Sequence, residues 1–268
     1  MRVVSLINST MISEISATYA LYYAKSFSMG LSLVHIQEQY SSQSTKKIFL
    51  NIQKLAKSIG VEVDFIVCEN LKELKRLVLS ENIDIIFSST KHNHSIFEYS
   101  FAKKIINMDM KVDLAIVKVV KSSGADNIDK IIMPIRGYQL SVKKFTFFSS
   151  LVNAYNSNAE IFSVDKINRK KAATLDTKKV KKKLQKVIFN LRYYFRLSSL
   201  MNIKFSIKHN YAFKEGDEVQ SHIAKNSYDL AIVGGHHNKS LFKAHPIDIL
   251  FKSPMINTIY FIPSRDNS

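Results

Sequence analysis

Several things are scarce in this 268-residue chain, and each shortage excludes something. There is a single cysteine, Cys68, so no internal disulfide can form and a reducing compartment is expected. Seven glycines and four prolines leave little material for glycine-rich phosphate loops. No apolar run approaches the ~20 residues needed to span a bilayer. The opening run, Met1-Arg-Val-Val-Ser-Leu-Ile7, is too short for a secretion signal. A cytoplasmic location is the expectation from these absences.

What is present supports a folded protein. Hydrophobic residues make up 46% of the chain and aromatics 11%, enough to bury a core. The length suits one large domain or two smaller ones. Charge is strongly one-sided, with 39 Lys and Arg against 22 Asp and Glu, a formal +17. The surplus is local. Residues 166–196 hold twelve basic side chains and one acid, Asp176.

Short apolar runs rich in β-branched residues alternate with longer amphipathic segments. Strands are expected at Val3–Ile7, Leu31–Ile36, Val61–Val67, Ile83–Phe87 and Val112–Val119, with helices at Ile12–Phe27, Thr45–Ser58, Leu71–Leu79 and Ser95–Ile106. A second series of strands follows at Lys130–Pro134, Ala159–Val164, Asn202–Lys208, Asp229–Val233 and Thr258–Ile262. Such alternation calls for parallel sheets with helices on both faces.

The two series keep register. Asn8 falls opposite Arg136, and Leu33 opposite Ile161 at the same spacing of 128 positions. The extra length of the second series enters mainly between its second and third strands, where the basic segment lies. Lys121–Asp126, small, polar and containing Gly124, reads as a linker. Two domains are therefore expected, 1–120 and 127–263, the second with a basic helical insertion at 166–196.

The second series resembles the universal stress protein family over nearly its whole length. Ile131-Ile-Met-Pro-Ile-Arg-Gly-Tyr-Gln-Leu-Ser141 stands where that family has a strand, Pro-x-Asp and a Ser-containing helix start. Tyr228-Asp-Leu-Ala-Ile-Val-Gly-Gly-His-His-Asn238 stands where it has Asp, a strand and a Gly-x-His turn, and Met255–Pro263 looks like its last strand. The first series joins through the internal alignment. The resemblance implies tandem open five-stranded parallel sheets in the order 3-2-1-4-5, helices on both faces, arranged as an internal pseudo-dimer meeting near the fifth strands.

ATP-binding members carry Gly-x-x-Gly-x9-Gly-Ser/Thr after the fourth strand and an Asp at the end of the first. Those glycines let backbone N–H groups approach phosphate at a helix N-terminus. Here the Asp position is Arg136 in the second series and Asn8 in the first. No glycine follows Gly235, and Ser88–Ser95 contains none. What remains, Gly235-His-His-Asn238, resembles the branch that does not bind ATP. The resemblance thus implies a non-enzymatic, stress-linked binding or regulatory module with degenerate nucleotide sites, no cofactor, and protein partners or self-association.

Two alternatives stay open. Gly234 and Gly235 follow a parallel strand at its carboxyl end, where open α/β sheets bind ligands. With Arg136 on a neighbouring strand, and His236, His237 and Asn238 in the loop, they form a candidate site for an adenine nucleotide such as ATP or AMP, or another anion. A solitary Gly pair also serves simply as a tight turn. The second alternative concerns the basic segment. Val180, Leu184, Val187, Ile188, Leu191 and Phe195 mark one apolar helical face, while Lys178, Lys179, Lys182, Lys183, Lys186 and Arg196 fall on others, with Phe189 and Tyr193 among them. That mixture suits nucleic acid or an anionic membrane surface; a solvated helix is the plainer reading.

Ordinary catalytic signatures are missing. No Gly-x-Ser-x-Gly or GxxxxGK[ST] motif occurs, and Cys68 ends an apolar strand, as a buried thiol would. His92, His94, His236, His237 and His245 lie in loops without HExxH or a Cys pair, so no metal is expected.

Overall fold

The computed structural model describes residues 1–37, 42–90, 101–108, 110–122, 124–136, 140–168, 176–234 and 254–264. Ten strands form one continuous sheet: β1 Arg2–Ile7, β2 Gly30–Ile36, β3 Val63–Cys68, β4 Ile83–Thr90, β5 Asp113–Lys118, β6 Lys130–Arg136, β7 Asn158–Lys166, β8 Phe205–Ala212, β9 Leu230–Gly234 and β10 Asn257–Ile262. Seven helices are described: α1 Met11–Ser26, α2 Ser42–Ile59, α3 Leu71–Ser80, α4 Phe101–Asn107, α5 Val142–Tyr155, α6 Thr177–Leu200 and α7 Glu215–Asn226.

The strand order is β3-β2-β1-β4-β5-β10-β9-β6-β7-β8. Each half has the expected 3-2-1-4-5 order, with every pairing inside a half parallel. The junction is antiparallel: Ile259 of β10 faces Val117 of β5, and Phe261 faces Ala115. The two sheets therefore merge into one rather than merely approaching each other.

The sequence dictates this layering. β1 and β10 are buried from Val3 to Ile7 and from Asn257 to Ile262, the continuous apolar run of a strand covered on both faces. β8, at the end of the sheet, alternates half-buried with exposed residues, the pattern of a strand with one open side. One face packs against α1, α2, α5 and α6; the other packs against α3, α4 and α7. The first of these cores runs unbroken through both halves, with α1 and α5 in direct contact. Tyr22 stacks on Tyr155 at 4.0 Å between ring centroids, and Tyr23 lies 5.4 Å from Phe147.

Local chemistry sets the helix ends. Asn70 caps α3 by accepting from the N–H groups of Lys72 and Glu73, and Glu73 Oε2 accepts from Glu69 N at 2.6 Å. Asp176 caps α6 and Ser141 caps α5 in the same way. α5 ends at Asn156, whose left-handed backbone (φ 54°) is a conformation asparagine tolerates.

The linker is pinned at several points. Tyr22 Oη donates to Asp126 O at 2.9 Å and Tyr155 Oη to Ala125 O at 2.8 Å. Asn257 Oδ1 accepts from the N–H groups of Val120 and Lys121. A Gly124 φ of +84° supplies the turn between them, a backbone region that disfavours side chains.

The helix expected over 166–196 is narrower at its start: Lys166 ends β7, residues 169–175 lie outside the described residues, and the remainder falls in α6, the crossover helix between β7 and β8, with 24 residues where its counterpart α2 has 18. Two details differ from the sequence reading. Val187, Leu191, Tyr194 and Ser198 form the buried arc, so Tyr194 takes the inward place and Ile188 is 41% exposed. At ~100° per residue, position 188 lies too far round the helix from 194 and 198 for both to face the sheet. Lys183 also leaves the open basic surface, because its Nζ lies 2.7 Å from Asp165 Oδ2 at the sheet-facing edge of α6. No described helix is long and apolar enough to cross a membrane.

Candidate functional site

The carboxyl ends of β6 and β9 are neighbours, since Ile131 pairs with Leu230 and Ile132 with Ala231 in parallel register. That places the Arg136 backbone and Gly234 at the same end of adjacent strands, as the candidate site requires. The Arg136 side chain, and Gly235, His236, His237 and Asn238, lie outside the described residues, as do His92, His94 and His245.

A residue unmarked in the sequence reading dominates what is described. Lys144 sits in the first turn of α5, its backbone N–H held by the Ser141 hydroxyl at 3.2 Å. Its side chain reaches back across Gly234. A β-carbon added to Gly234 would stand 2.8 Å from both Cδ and Nζ of Lys144, closer than real β-carbons approach. Gly234 thus leaves open the space that the end of the Lys144 side chain occupies, a reason distinct from turn geometry or phosphate approach. Burial lowers the pKa of this amine to about 8.

One sequence signal could have found it. At the spacing of 128 positions that joins Asn8 to Arg136, Lys144 falls opposite Ser16, which is fully buried in α1. A lysine where the other half buries a serine brings a half-buried cation to the edge of that packed surface.

The neighbouring Lys143 turns the other way. Its Nζ donates to Ser264 Oγ at 2.9 Å and lies 3.9 Å from Asp113 Oδ1, while Ser264 N donates to that same oxygen at 2.6 Å. The start of α5 is therefore fastened to β5 of the other half, which fixes where Lys144 projects.

In the first half, Asn8 is engaged in its own loop. Its Oδ1 accepts from Thr10 N at 3.0 Å and from the Thr10 hydroxyl, and its N–H donates to Ser13 Oγ at 3.1 Å. At the same end of the sheet Lys118 pairs with Thr90 across the β4–β5 ladder and is wholly buried; burial lowers its pKa. Each half thus places a desolvated lysine at its carboxyl end, by different residues.

Elsewhere, burial raises the Cys68 thiol to about 11, with Glu73 adding to the effect. No group of three or more His, Cys, Asp and Glu suited to a metal occurs among the described residues. A polar cluster around the buried Glu160 lies at the other end of the second half. Glu160 of β7 meets His222 Nε2 at 2.5 Å and Lys208 Nζ at 2.9 Å, and Tyr228 Oη lies 3.3 Å from the same imidazole nitrogen. Phe162 stacks on the His222 ring at 3.9 Å. This cluster joins β7, β8 and α7 at the amino ends of the strands, away from where open sheets bind ligands.

No protein-family model matches the chain, and no curated protein matches its sequence. Solved structures match its shape. A universal stress protein from Archaeoglobus fulgidus DSM 4304 superposes with a TM-score of 0.59 at 11% identity, over 98% of both chains. A putative universal stress protein from Pseudomonas aeruginosa UCBPP-PA14 gives 0.58 at 8% identity, over 98% of this chain and 93% of that one. The fold is shared with universal stress proteins. The cytoplasmic domain of a prokaryotic cation chloride cotransporter also matches, at 0.55 and 10% identity over 98% of this chain and 95% of that one. At such identities the likeness establishes architecture, and function must come from the site.

Proposed function

We propose that the chain is a non-enzymatic binding or regulatory module of the universal stress protein type, cytoplasmic, with degenerate nucleotide sites. It works through protein partners or self-association and needs no cofactor. The observation that supports this most is the Lys144 side chain lying over Gly234. That side chain fills the space over the end of β9 where a glycine cradle would receive a triphosphate, and no glycine beyond Gly235 offers such a cradle. The engagement of Asn8 within its own loop adds support on the other side. A fold neighbour that is itself the cytoplasmic domain of a larger protein is consistent with a module acting on a partner.

Titration calorimetry with ATP, ADP and AMP, with and without Mg2+, tests the reading. No heat of binding is expected; micromolar affinity for any of the three overturns it.

A second reading is favoured by the same lysine. An amine desolvated against Gly234, at the strand end that neighbours β6, suits an anion smaller than a nucleotide. Inorganic phosphate is the probe for it. Binding that disappears in Lys144→Met would establish an anion site in place of an empty one.

A further inference from the structure

The outward face of α6 is unusual for a solvated crossover helix. Lys178, Lys182, Phe189, Tyr193, Arg196 and Leu200 recur at steps of three, four and seven, which confines them to an arc of about 60°. The buried residues Val187, Leu191, Tyr194 and Ser198 occupy the opposite side. Phe189 is 58% exposed, Tyr193 53% and Leu200 83%, with Ile188 at the margin. Around them stand exposed Lys181 and Arg192, the latter with its guanidinium carbon 4.3 Å from the Phe189 ring centroid. Between Thr177 and Leu200 there is no acidic residue.

We propose that this face lies flat on an anionic lipid surface, with Phe189, Tyr193 and Leu200 entering the interfacial layer and Lys178, Lys181, Lys182, Arg192 and Arg196 meeting the headgroups. Three observations select lipid over nucleic acid. Leucine and isoleucine side chains gain from an acyl boundary but offer nothing to a base, whereas stacking platforms for single strands are aromatic and set in grooves. The α6 surface is a convex cylinder; at ~1.5 Å per residue its 24 residues give a straight contact of about 36 Å, which suits a plane. The exposed apolar side chains lie between positions 188 and 200, with Arg192 and Arg196 among them and the lysines at 178, 181 and 182 extending the same side of the helix toward its N-terminus, so one face offers both headgroup contacts and anchors. Here the usual arrangement is divided. One side of α6 is held by the protein core, and the outward stripe carries both the apolar anchors and the charge.

Each cation near an anionic leaflet adds to the attraction, and salt weakens it. The test uses the full chain and sucrose-loaded vesicles, sedimented at low and high salt. Vesicles of phosphatidylcholine with an equal part of phosphatidylglycerol should carry the protein down; vesicles of phosphatidylcholine alone should not. Raising salt should release it. K178E/K182E/R196E should lower the partition coefficient by at least about a hundredfold, since three attractions of about 1 kcal/mol each are lost and three repulsions are added.

Insertion is read separately. The chain has no tryptophan, so F189W introduces a single reporter whose emission should shift to the blue on phosphatidylglycerol vesicles. F189S/Y193S should weaken binding by about tenfold or more. Equal sedimentation with both kinds of vesicle overturns the proposal, as does an unshifted F189W emission on bound protein. Tighter binding to single-stranded polyuridylate than to the anionic vesicles at equal salt assigns the face to nucleic acid and also overturns it. Circular dichroism checks the folding of the triple variant; should it unfold, F189W and the parent still decide. Failure of this test leaves the reading of the strand-end crevice untouched, because the outward face of α6 takes no part in it.

Discussion

The amide of Asn257, at the first position of β10, donates to the hydroxyl of Tyr19 on α1 across 2.9 Å, joining residues 238 positions apart. Its oxygen accepts from Val120 and Lys121 at 2.8 and 2.9 Å, and its Nδ2 also reaches Lys121 O at 3.1 Å. One side chain, 4% exposed, thus satisfies the linker, the second half and a helix of the first. Burial raises the pKa of the Tyr19 hydroxyl well above the ordinary value and outweighs this hydrogen bond, which favours the phenolate and pulls the other way.

Asn257→Leu fills the space but removes the partner of two N–H groups, the Lys121 carbonyl and the Tyr19 hydroxyl, of which the hydroxyl is the fully buried one. A loss of about 2–4 kcal/mol is expected, since each unsatisfied buried group costs about 1–3 kcal/mol. Urea unfolding measures it, and a single transition should persist because the two halves share a core. A change below half a kilocalorie would refute this role for the side chain.

Lys144→Met should stabilise the protein at neutral pH. The folded-state pKa of about 8 lies below the ordinary 10.5, so the charged amine opposes folding. That penalty is full below pH 8 and fades as pH rises toward 10.5, where the unfolded chain also releases its proton. The parent should therefore gain stability across that window and the variant should not, with a difference of about 1–3 kcal/mol at pH 7. Parallel stability curves for the two proteins would contradict the burial of the amine.

Glu160 gives the opposite sign. Burial alone would raise its pKa, but hydrogen bonds with Lys208, Tyr228 and His222 outweigh that and hold it below the usual carboxylate value. Its contribution is present above the unfolded pKa and lost as pH falls through the folded one. Glu160→Ala should cost about 2–4 kcal/mol at pH 7 and progressively less in acid, followed by chemical denaturation at several pH values. A cost independent of pH would mean that packing, rather than charge, is what the residue provides.

Cys68, 1% exposed, should react with Ellman's reagent at pH 8 at least about a hundredfold more slowly than a free thiol, and at the ordinary rate in denaturant. Rapid reaction in the native protein would show the end of β3 to be open.

The architecture was readable because its signals are local. The apolar run of Arg2–Ile7 and that of Asn257–Ile262 are long enough, and punctuated sharply enough, to stand as strands without tertiary information. The merger of the halves was not readable. Nothing in Ile259 or Val117 distinguishes a strand that ends a sheet from one that pairs with a partner, since both are apolar either way. Lys144 escaped for a related reason: a lysine early in a helix is ordinary, and only the path of β9 beneath it reveals the contact with Gly234. Ile188 was misplaced because two adjacent apolar residues, Val187 and Ile188, compete for one inward position, and Tyr194 decides between them. The loop of Gly235 to Asn238 and the Arg136 side chain lie outside the described residues, so that part of the candidate site rests on sequence alone.

The antiparallel seam between β5 and β10 bears on how such a protein assembles. Carried on one polypeptide, the two sides of the seam meet at a local concentration fixed by a short, pinned connection, so their union does not depend on protein abundance. Cleave that connection, and the same joint becomes a bimolecular equilibrium. Either fragment would then expose a bare strand edge able to recruit any compatible strand, including that of its own twin.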